Sequence, residues 1–237
     1  MAGKYKRVLL KLSGEILAGG EKFGLNYPVI NEICSEITDA ANAGVQIAMV
    51  VGGGNFIRGA QAEEQGIERV QADQMGMLAT VINALALQNA LEQLGVPTRV
   101  QTAIEMRSIA EPFITRRATR HLEKGRILIF AAGTGSPFFS TDTAAALRAT
   151  EIKSDCLLKA TKVDGIYDKD PVKFQDAAFL AEVSFADALR LRLRVMDGAA
   201  FSLCMENKMP IIVFDVRQRG NLSKLLIAGE RIGSMVS

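Results

Sequence analysis

The chain is predicted to fold as a three-layer α/β/α protein around a mainly parallel sheet. Two observations carry this. Apolar, β-branched runs alternate with stretches of helical pattern along the whole sequence. Several of those runs, such as Ile127-Leu128-Ile129-Phe130, are continuously apolar, which suits strands covered on both faces. In order, Arg7–Leu12 opens the pattern as a strand and Pro28–Ala43 follows as a helix. Gln46–Val51 is the second strand. Asp73–Leu94 is a long helix, apolar on most sides, that is either a central core helix or one that packs a face against another subunit. Thr98–Gln101 is a strand, Pro112–Glu123 a helix and Ile127–Ala132 a buried strand. Thr143–Thr150, Phe185–Leu191 and the strands Cys156–Ala160 and Ile211–Phe214 complete the set. The right-handed crossover rule limits how these units connect.

Composition narrows the function. The 237 residues are 49% apolar, enough for a sizeable core, and no Pro/Gly/Ser linker divides them, so one domain over residues 1–237 is expected. A net charge of +2 does not call for a nucleic-acid partner. The basic cluster Arg116, Arg117, Arg120, Lys124 and Arg126 lacks aromatic residues to stack bases and reads as a solvated helix face. Cys34, Cys156 and Cys204 are far apart and odd in number, as expected of reduced, buried thiols in a cytoplasmic protein. The single histidine, His121, has no second ligand or triad partner nearby in sequence and reads as a surface or local hydrogen-bonding residue. Lys11 and Glu15 interrupt the apolar N-terminal stretch, which argues against export, and polar residues within 75–94 argue against a membrane span.

Four loops that follow strands carry the chemistry. Lys11-Leu12-Ser13-Gly14 ends the first strand; a lysine there is costly unless it meets an anion or snorkels to solvent. Gly52-Gly53-Gly54-Asn55 ends the second, and its glycines let backbone N–H groups crowd a phosphate that Arg58 would clamp. Gly133-Thr134-Gly135-Ser136-Pro137-Phe138-Phe139-Ser140-Thr141-Asp142 combines two glycines, four hydroxyls and a helix N-terminus, which together make a phosphate site. The fourth, Lys159 to Tyr167 and on to Asp170, supplies an aromatic ring, acids and lysines that suit a nucleobase and ribose.

Absences sharpen this. No Gly-x-x-x-x-Gly-Lys-Ser/Thr occurs, which removes the P-loop class. Ile57 and Phe138 stand where Gly-x-Gly-x-x-Gly needs its last glycine, so dinucleotide binding is poorly supported. No Ser–His–Asp or Cys–His pair is evident. Several phosphate loops on one sheet, with Lys and Arg, indicate phosphoryl transfer between two phosphate-bearing ligands.

Lys11-Leu12-Ser13-Gly14-Glu15, Gly52-Gly53-Gly54-Asn55, Asp73-Gln74-Met75-Gly76-Met77-Leu78-Ala79-Thr80, Gly133 through Asp142, and Lys159 to Gly165 occur in that order. Over essentially its whole length the chain resembles the bacterial uridylate (UMP) kinases of the amino-acid-kinase fold. The resemblance implies that ATP gives its γ-phosphoryl group to UMP, in pyrimidine nucleotide synthesis. It implies a UMP-side portion of about residues 1–150 and an ATP-side portion of about 151–237. Lys11, Arg58, Asp142 and Asp197 would be catalytic, Asp197 by orienting Lys11 through an ion pair. Gly53, Asp73, Thr134, Gly135, Ser136, Pro137, Phe138, Phe139, Ser140 and Thr141 would bind UMP. Lys11, Leu12, Ser13, Gly14, Gly54, Arg58, Thr161, Tyr167 and Asp170 would hold ATP. Mg²⁺ would travel on ATP without a dedicated protein cage, with Asp142 near it. A homohexamer under GTP and UTP control is implied, with Gly19, Gly20, Glu21, Lys22, Phe23, Gly24 and Arg99 on the effector side. Two other readings stay open: a non-catalytic nucleotide- or oxyanion-binding member of the fold, and a carbamate or amino-acid kinase.

Overall fold

A computed structural model describes residues 4–57, 65–171 and 173–237. Among these residues the backbone builds a nine-stranded sheet in the order β4-β3-β5-β2-β1-β6-β10-β11-β9. Its strands are β1 (Arg7–Leu12), β2 (Gln46–Val51), β3 (Thr98–Thr102), β4 (Glu111–Pro112), β5 (Ile127–Ala131), β6 (Cys156–Thr161), β9 (Glu182–Val183), β10 (Ile211–Asp215) and β11 (Ser234–Val236). Every pairing is parallel except β10 with β11. Two short strands, β7 (Ile166–Tyr167) and β8 (Phe179–Leu180), form a separate antiparallel pair. The α/β class and the mainly parallel sheet are therefore as the sequence predicts.

The period of two along each strand divides the core. Val8, Leu10 and Leu12 of β1 pack on one face, against α2 (Tyr27–Asn42) and α3 (Arg69–Gln93), through Ile30, Ile33, Ile37, Val81, Leu87 and Leu91. Leu9 packs on the other, with Ala48, Val50, Leu128, Phe130 and Leu157. That second face is covered by α4 (Thr115–Glu123), α5 (Thr141–Glu151) and α7 (Gly198–Glu206). The α5 helix is packed between the sheet and α7, and its Ala144, Ala145, Ala146 and Ala149 are all fully buried. The remaining helices are short: α1 (Gly14–Leu17), α6 (Phe185–Arg190) and α8 (Asn221–Ser223), which runs on as a π-turn over Lys224–Ala228.

Local chemistry sets the helix starts. The Asn26 carboxamide accepts from Val29 N at 3.1 Å and caps α2, with Pro28 in its first turn. Ser140 caps α5 and Asp197 caps α7 in the same way. The long helix begins at Arg69, one turn earlier than its apolar pattern suggests.

Two expectations are corrected. The helix predicted from Pro112 starts at Thr115, because Pro112 is paired into the edge strand β4 opposite Thr102. Proline is tolerated there because an edge strand leaves one row of backbone groups without a ladder partner. His121 is not on the surface: it is 8% exposed and lies between Glu111 Oε2 and Arg126, each at 3.0 Å. The local hydrogen bonding expected of it is present. All three cysteines are free and buried. Burial pushes the Cys34 thiol up to about 12. No helix among the described residues is long and apolar enough to cross a membrane.

Candidate active site

Strand register puts two lysines side by side. Lys11 of β1 and Lys159 of β6 are Cα partners on adjacent parallel strands. Each shares the face of the residue two before it, Leu9 and Leu157, and so points toward α5. Two neighbouring ammonium groups, each largely removed from water, repel unless an anion lies between them. Asp142, in the first turn of α5, is that anion. Its Oδ1 pairs with Lys11 Nζ at 2.9 Å and its Oδ2 with Lys159 Nζ at 2.8 Å. Lys159 Nζ also donates to Val195 O at 2.6 Å. Burial raises the Asp142 pKa, but Lys11 and Lys159 outweigh it and hold the carboxyl below the usual carboxylate range. The contact at Oδ1 is an ion pair and not a well-aligned hydrogen bond.

On one side of this bridge lies a cleft of about 590 Å³ at the C-terminal ends of β2 and β5. Gly53, Gly54, Asp73, Ser136, Phe138, Phe139, Ser140, Thr141 and Asp197 border it. Asp73 accepts from Phe138 N at 2.7 Å and pairs with Arg69 at 2.9 Å. It thereby holds Phe138 in a left-handed conformation, φ 70°, which costs a non-glycine residue about 1–2 kcal/mol. Both phenylalanine rings remain mostly exposed, at 67% and 55%. Thr134 turns inward within its own loop, accepting from Ser136 N at 3.2 Å. Gly135 is needed for space and angle: its φ is +84°, and a Cβ would stand 3.2 Å from Ala103 O.

On the other side is a cleft of about 490 Å³ bordered by Lys159, Thr161, Tyr167, Asp170 and the stretch Leu191–Val195. Tyr167 donates to the Asp164 carboxylate at 3.0 Å, and Thr161 Oγ1 to Val163 O at 2.7 Å. Below this loop Arg217 donates to Lys162 O at 2.6 Å while pairing with Asp215 at 2.8 Å. That guanidinium hydrogen-bonds Asp215 and holds its carboxyl below the ordinary range, against the effect of burial.

The structure brings most of the expected residues together, with four departures. Arg58 lies outside the described residues. Asp197 does not pair with Lys11. It accepts from Ser140 Oγ, from Thr143 Oγ1 at 3.0 Å and from Ala200 N at 3.0 Å, because its place is the N-cap of α7 beside the start of α5. Lys11, Leu12, Ser13 and Gly14 border neither cleft, nor do Thr134, Gly135 and Pro137; Ser13 is the N-cap position of α1, and Gly14 is packed so tightly that a Cβ would meet Gly52 O at 2.7 Å. The segment Gly19–Gly24 and Arg99 are separate. Gly19 and Gly20 border a cavity of about 340 Å³ with Lys162, Arg217 and Arg219, whereas Arg99 lies in a groove with Gln88 and Glu111. Sequence reasoning placed Lys159 at the head of the nucleobase and ribose loop and gave it no catalytic role. The available signal was the one that singled out Lys11, a lysine inside a strand flanked by Leu157, Leu158 and Ala160.

One ligand-sized cleft reaches Lys159 of the lysine–aspartate–lysine bridge and the other reaches Thr141 and Thr143 beside Asp142; with a helix N-terminus and a glycine loop, they make a phosphotransferase site. The chain belongs to the amino acid kinase family, which it matches over residues 6–215. Among solved structures it is similar to the UMP kinase of Bacillus anthracis, at 38% identity and a TM-score of 0.95, covering 98% of this chain and 96% of that one. It is also similar to the UMP kinase of Ureaplasma parvum, at 36% identity and a TM-score of 0.93, covering all of both chains. The uridylate kinase of Archaeoglobus fulgidus is 26% identical with a TM-score of 0.74, covering 97% of this chain and 99% of that one.

Proposed function

We propose that the protein transfers the γ-phosphoryl group of ATP to UMP, giving ADP and UDP. The observation that carries this reading is the bridge of Lys11, Asp142 and Lys159, with one cleft lined by Lys159 and the other by the residues on either side of Asp142. The likeness to two UMP kinases over nearly the full length of each chain supports the substrates. The acceptor is a phosphate oxyanion at neutral pH, so the site needs alignment and cations more than a general base. Lys11 and Lys159 neutralise charge on the group in transfer, and Asp142 keeps both ammonium groups aimed at it. Arg58 adds a further cation at the junction. Asp197 positions the start of α5 through Ser140 and Thr143.

UMP occupies the cleft of Gly53, Asp73 and the 134–141 loop, where the Asp73 carboxylate accepts from ribose hydroxyls. ATP occupies the cleft of Thr161, Tyr167 and Asp170 and reaches Lys11, Ser13 and Gly54 with its phosphates. The division into a UMP-side portion to about residue 150 and an ATP-side portion beyond it follows, crossed by Asp197 on the UMP side and by Lys11, Ser13 and Gly54 toward the ATP phosphates. Among the described residues no group of three or more His, Cys, Asp or Glu is arranged to hold a metal. Mg²⁺ is carried by the ATP phosphates and neutralises their charge, and Asp142 is a hard oxygen donor fit to face it. Exposed Met75, Leu78, Ile82 and Leu85 form one stripe along α3 and support packing of α3 against a second subunit within a homohexamer. GTP and UTP act as effectors through Gly19–Gly24 and Arg99. The buried free thiols support a reducing, cytoplasmic setting.

A coupled assay for ADP release tests the reaction, comparing UMP with CMP, dUMP, carbamate, acidic amino acids and no acceptor. Turnover that depends on UMP is expected. Folded protein that binds UMP without turning over, or that prefers carbamate or an amino acid, overturns the proposal.

A further inference from the structure

Helix α3 carries its apolar stripe on one side and two buried polar side chains, Thr80 and Asn83, on another. They are three residues apart and so adjacent on the helix surface. Each reaches the end of a different strand. The Thr80 hydroxyl accepts from Ala132 N at 2.7 Å and donates to Met77 O at 2.7 Å. Ala132 is the residue at which β5 gives way to the 133–142 loop, and it is held left-handed at φ 60°. Asn83 Nδ2 donates to Gly52 O at 2.7 Å, where β2 gives way to the glycine loop. The same group donates to Asn55 Oδ1 at 2.7 Å, and Asn55 Nδ2 donates back to Asn83 Oδ1 at 2.9 Å and on to Gly24 O at 2.8 Å. Gly24 N closes the ring on Asn55 O at 2.9 Å.

The two carboxamides are 2% and 0% exposed, and each donor and acceptor on them is used. An amide pair satisfied this completely in a dry interior has one geometry. Packing adds to it: a Cβ on Gly53 would meet Gly76 O at 2.5 Å, so the glycine loop lies directly on the helix backbone. Core packing alone does not call for this arrangement, since an apolar residue at 80 or 83 would fill the space.

We infer that Thr80 and Asn83, with Asn55, are positioning residues that set both acceptor-side loops from one rigid helix. The inference rests on the reading of this cleft as the acceptor site. None of the three acts on the nucleotide: each acts through a loop. Thr80 fixes where the 133–142 loop departs, and Asn83 with Asn55 fixes the glycine loop. Because one helix carries both anchors, the spacing between the loops is the spacing of two adjacent side chains and not a sum of independent loop conformations. Asn55 also joins the glycine loop to Gly24, so a ligand or subunit that shifts either α3 or residues 19–24 moves the same loop.

The test compares Thr80→Val, Thr80→Ser and Asn83→Asp in the full chain by UMP-saturation kinetics, thermal unfolding and peptide-level hydrogen exchange. Val keeps the shape and loses the hydroxyl; Ser keeps the hydroxyl. Thr80→Val is expected to lose roughly tenfold or more in kcat/KM for UMP, with ATP KM unchanged, and Thr80→Ser to stay within about twofold of the parent. Exchange should rise over 130–136 in Thr80→Val and over 52–57 in Asn83→Asp, in protein that remains folded. A role confined to stability would lower the melting temperature and leave kinetics per folded protomer and loop exchange alone; that result overturns the inference. If Asn83→Asp does not fold, the Val/Ser pair decides. If the parent protein shows no UMP-dependent ADP release, the functional reading fails, and exchange without nucleotide decides the positioning claim by itself.

Discussion

The two clefts are built from different materials. The proposed acceptor side is tied to the core by two buried bonds, Asn83 to Gly52 and Thr80 to Ala132, with an exposed bond from Phe138 N to Asp73 outside them. The donor side hangs more on exposed contacts. Tyr167 bonds Asp164 in water, Lys169 pairs with Asp176 at 2.6 Å with the aspartate side chain 79% exposed, and Lys173 faces Asp170 at 3.6 Å. Three contacts tie that loop inward: Arg217 to Lys162 O, Thr161 Oγ1 to Phe214 O at 3.3 Å, and the buried bond from Ile166 N to Ser234 Oγ at 2.8 Å. Exposed pairs contribute about 0–1 kcal/mol and are weakened by salt, whereas buried satisfied networks specify one arrangement. On the proposed assignment, the contrast teaches where selectivity would reside: the nucleoside monophosphate side has both its loops anchored to one buried helix, and the phosphoryl-donor side carries more of its contacts at the surface.

Four substitutions break or sharpen that contrast. At the junction, Lys11→Ala should lower kcat by about two to three orders of magnitude with little change in UMP affinity; a kcat near the parent value would remove Lys11 from the chemistry. Asp142→Asn should destabilise as well as inactivate, because it leaves two partly buried lysines facing each other. Removing one partner of a buried pair costs about 3–5 kcal/mol, which urea unfolding would read directly. The same pair sets an acid limit. Its folded-state pKa is depressed, so its contribution is fully present above the unfolded value of about 3.9 and is lost as pH falls through the lower folded value. Stability measured between pH 7 and 5 should therefore show no loss from this group.

On the acceptor side, Asp73→Asn should raise the UMP KM by about tenfold, the scale of one lost charge-assisted bond, and leave the ATP KM in place. An unchanged UMP KM would take Asp73 out of the site. On the donor side, Lys169→Ala should change stability by less than about 1 kcal/mol and the ATP KM by less than about twofold. A larger effect would mean that the exposed ion pairs shape the donor cleft after all.

How much of this was legible depends on how locally each feature is encoded. The β1 and β2 strands match their expected limits because each is a six-residue run, apolar but for Arg7 and Lys11 in β1 and Gln46 in β2, and buried on both faces. The edge strands β4 and β9, and β11 next to β9, have two or three residues, too few to show a period. The α7 helix was missed because Gly198, Ala199 and Ala200 hide its start, and its cap was read only as a catalytic acid. The glycine and hydroxyl loops were readable as phosphate sites because their composition is their function. Which acid meets which lysine was not. Asp142 and Asp197 both lie near helix starts, and only strand register shows that Lys11 and Lys159 are neighbours and that Asp142 is placed to bridge them. The strand pairing of Pro112 and the burial of His121 went unseen for a related reason: a pattern of neighbours in sequence carries no record of an edge strand arriving from elsewhere.

The four buried alanines of α5 have a meaning beyond packing. Their methyl groups set how far the helix stands from the sheet and from α7, and Asp142 is fixed to that helix while its lysines are fixed to the strands. The gap between carboxylate and ammonium is thus a dimension of the core. A single added methylene at Ala145 would lift the first turn away from Lys11 and Lys159 without touching either cleft. Small residues here act as spacers machined to a tolerance, and the volume of the interior and the alignment of the reacting groups are one quantity.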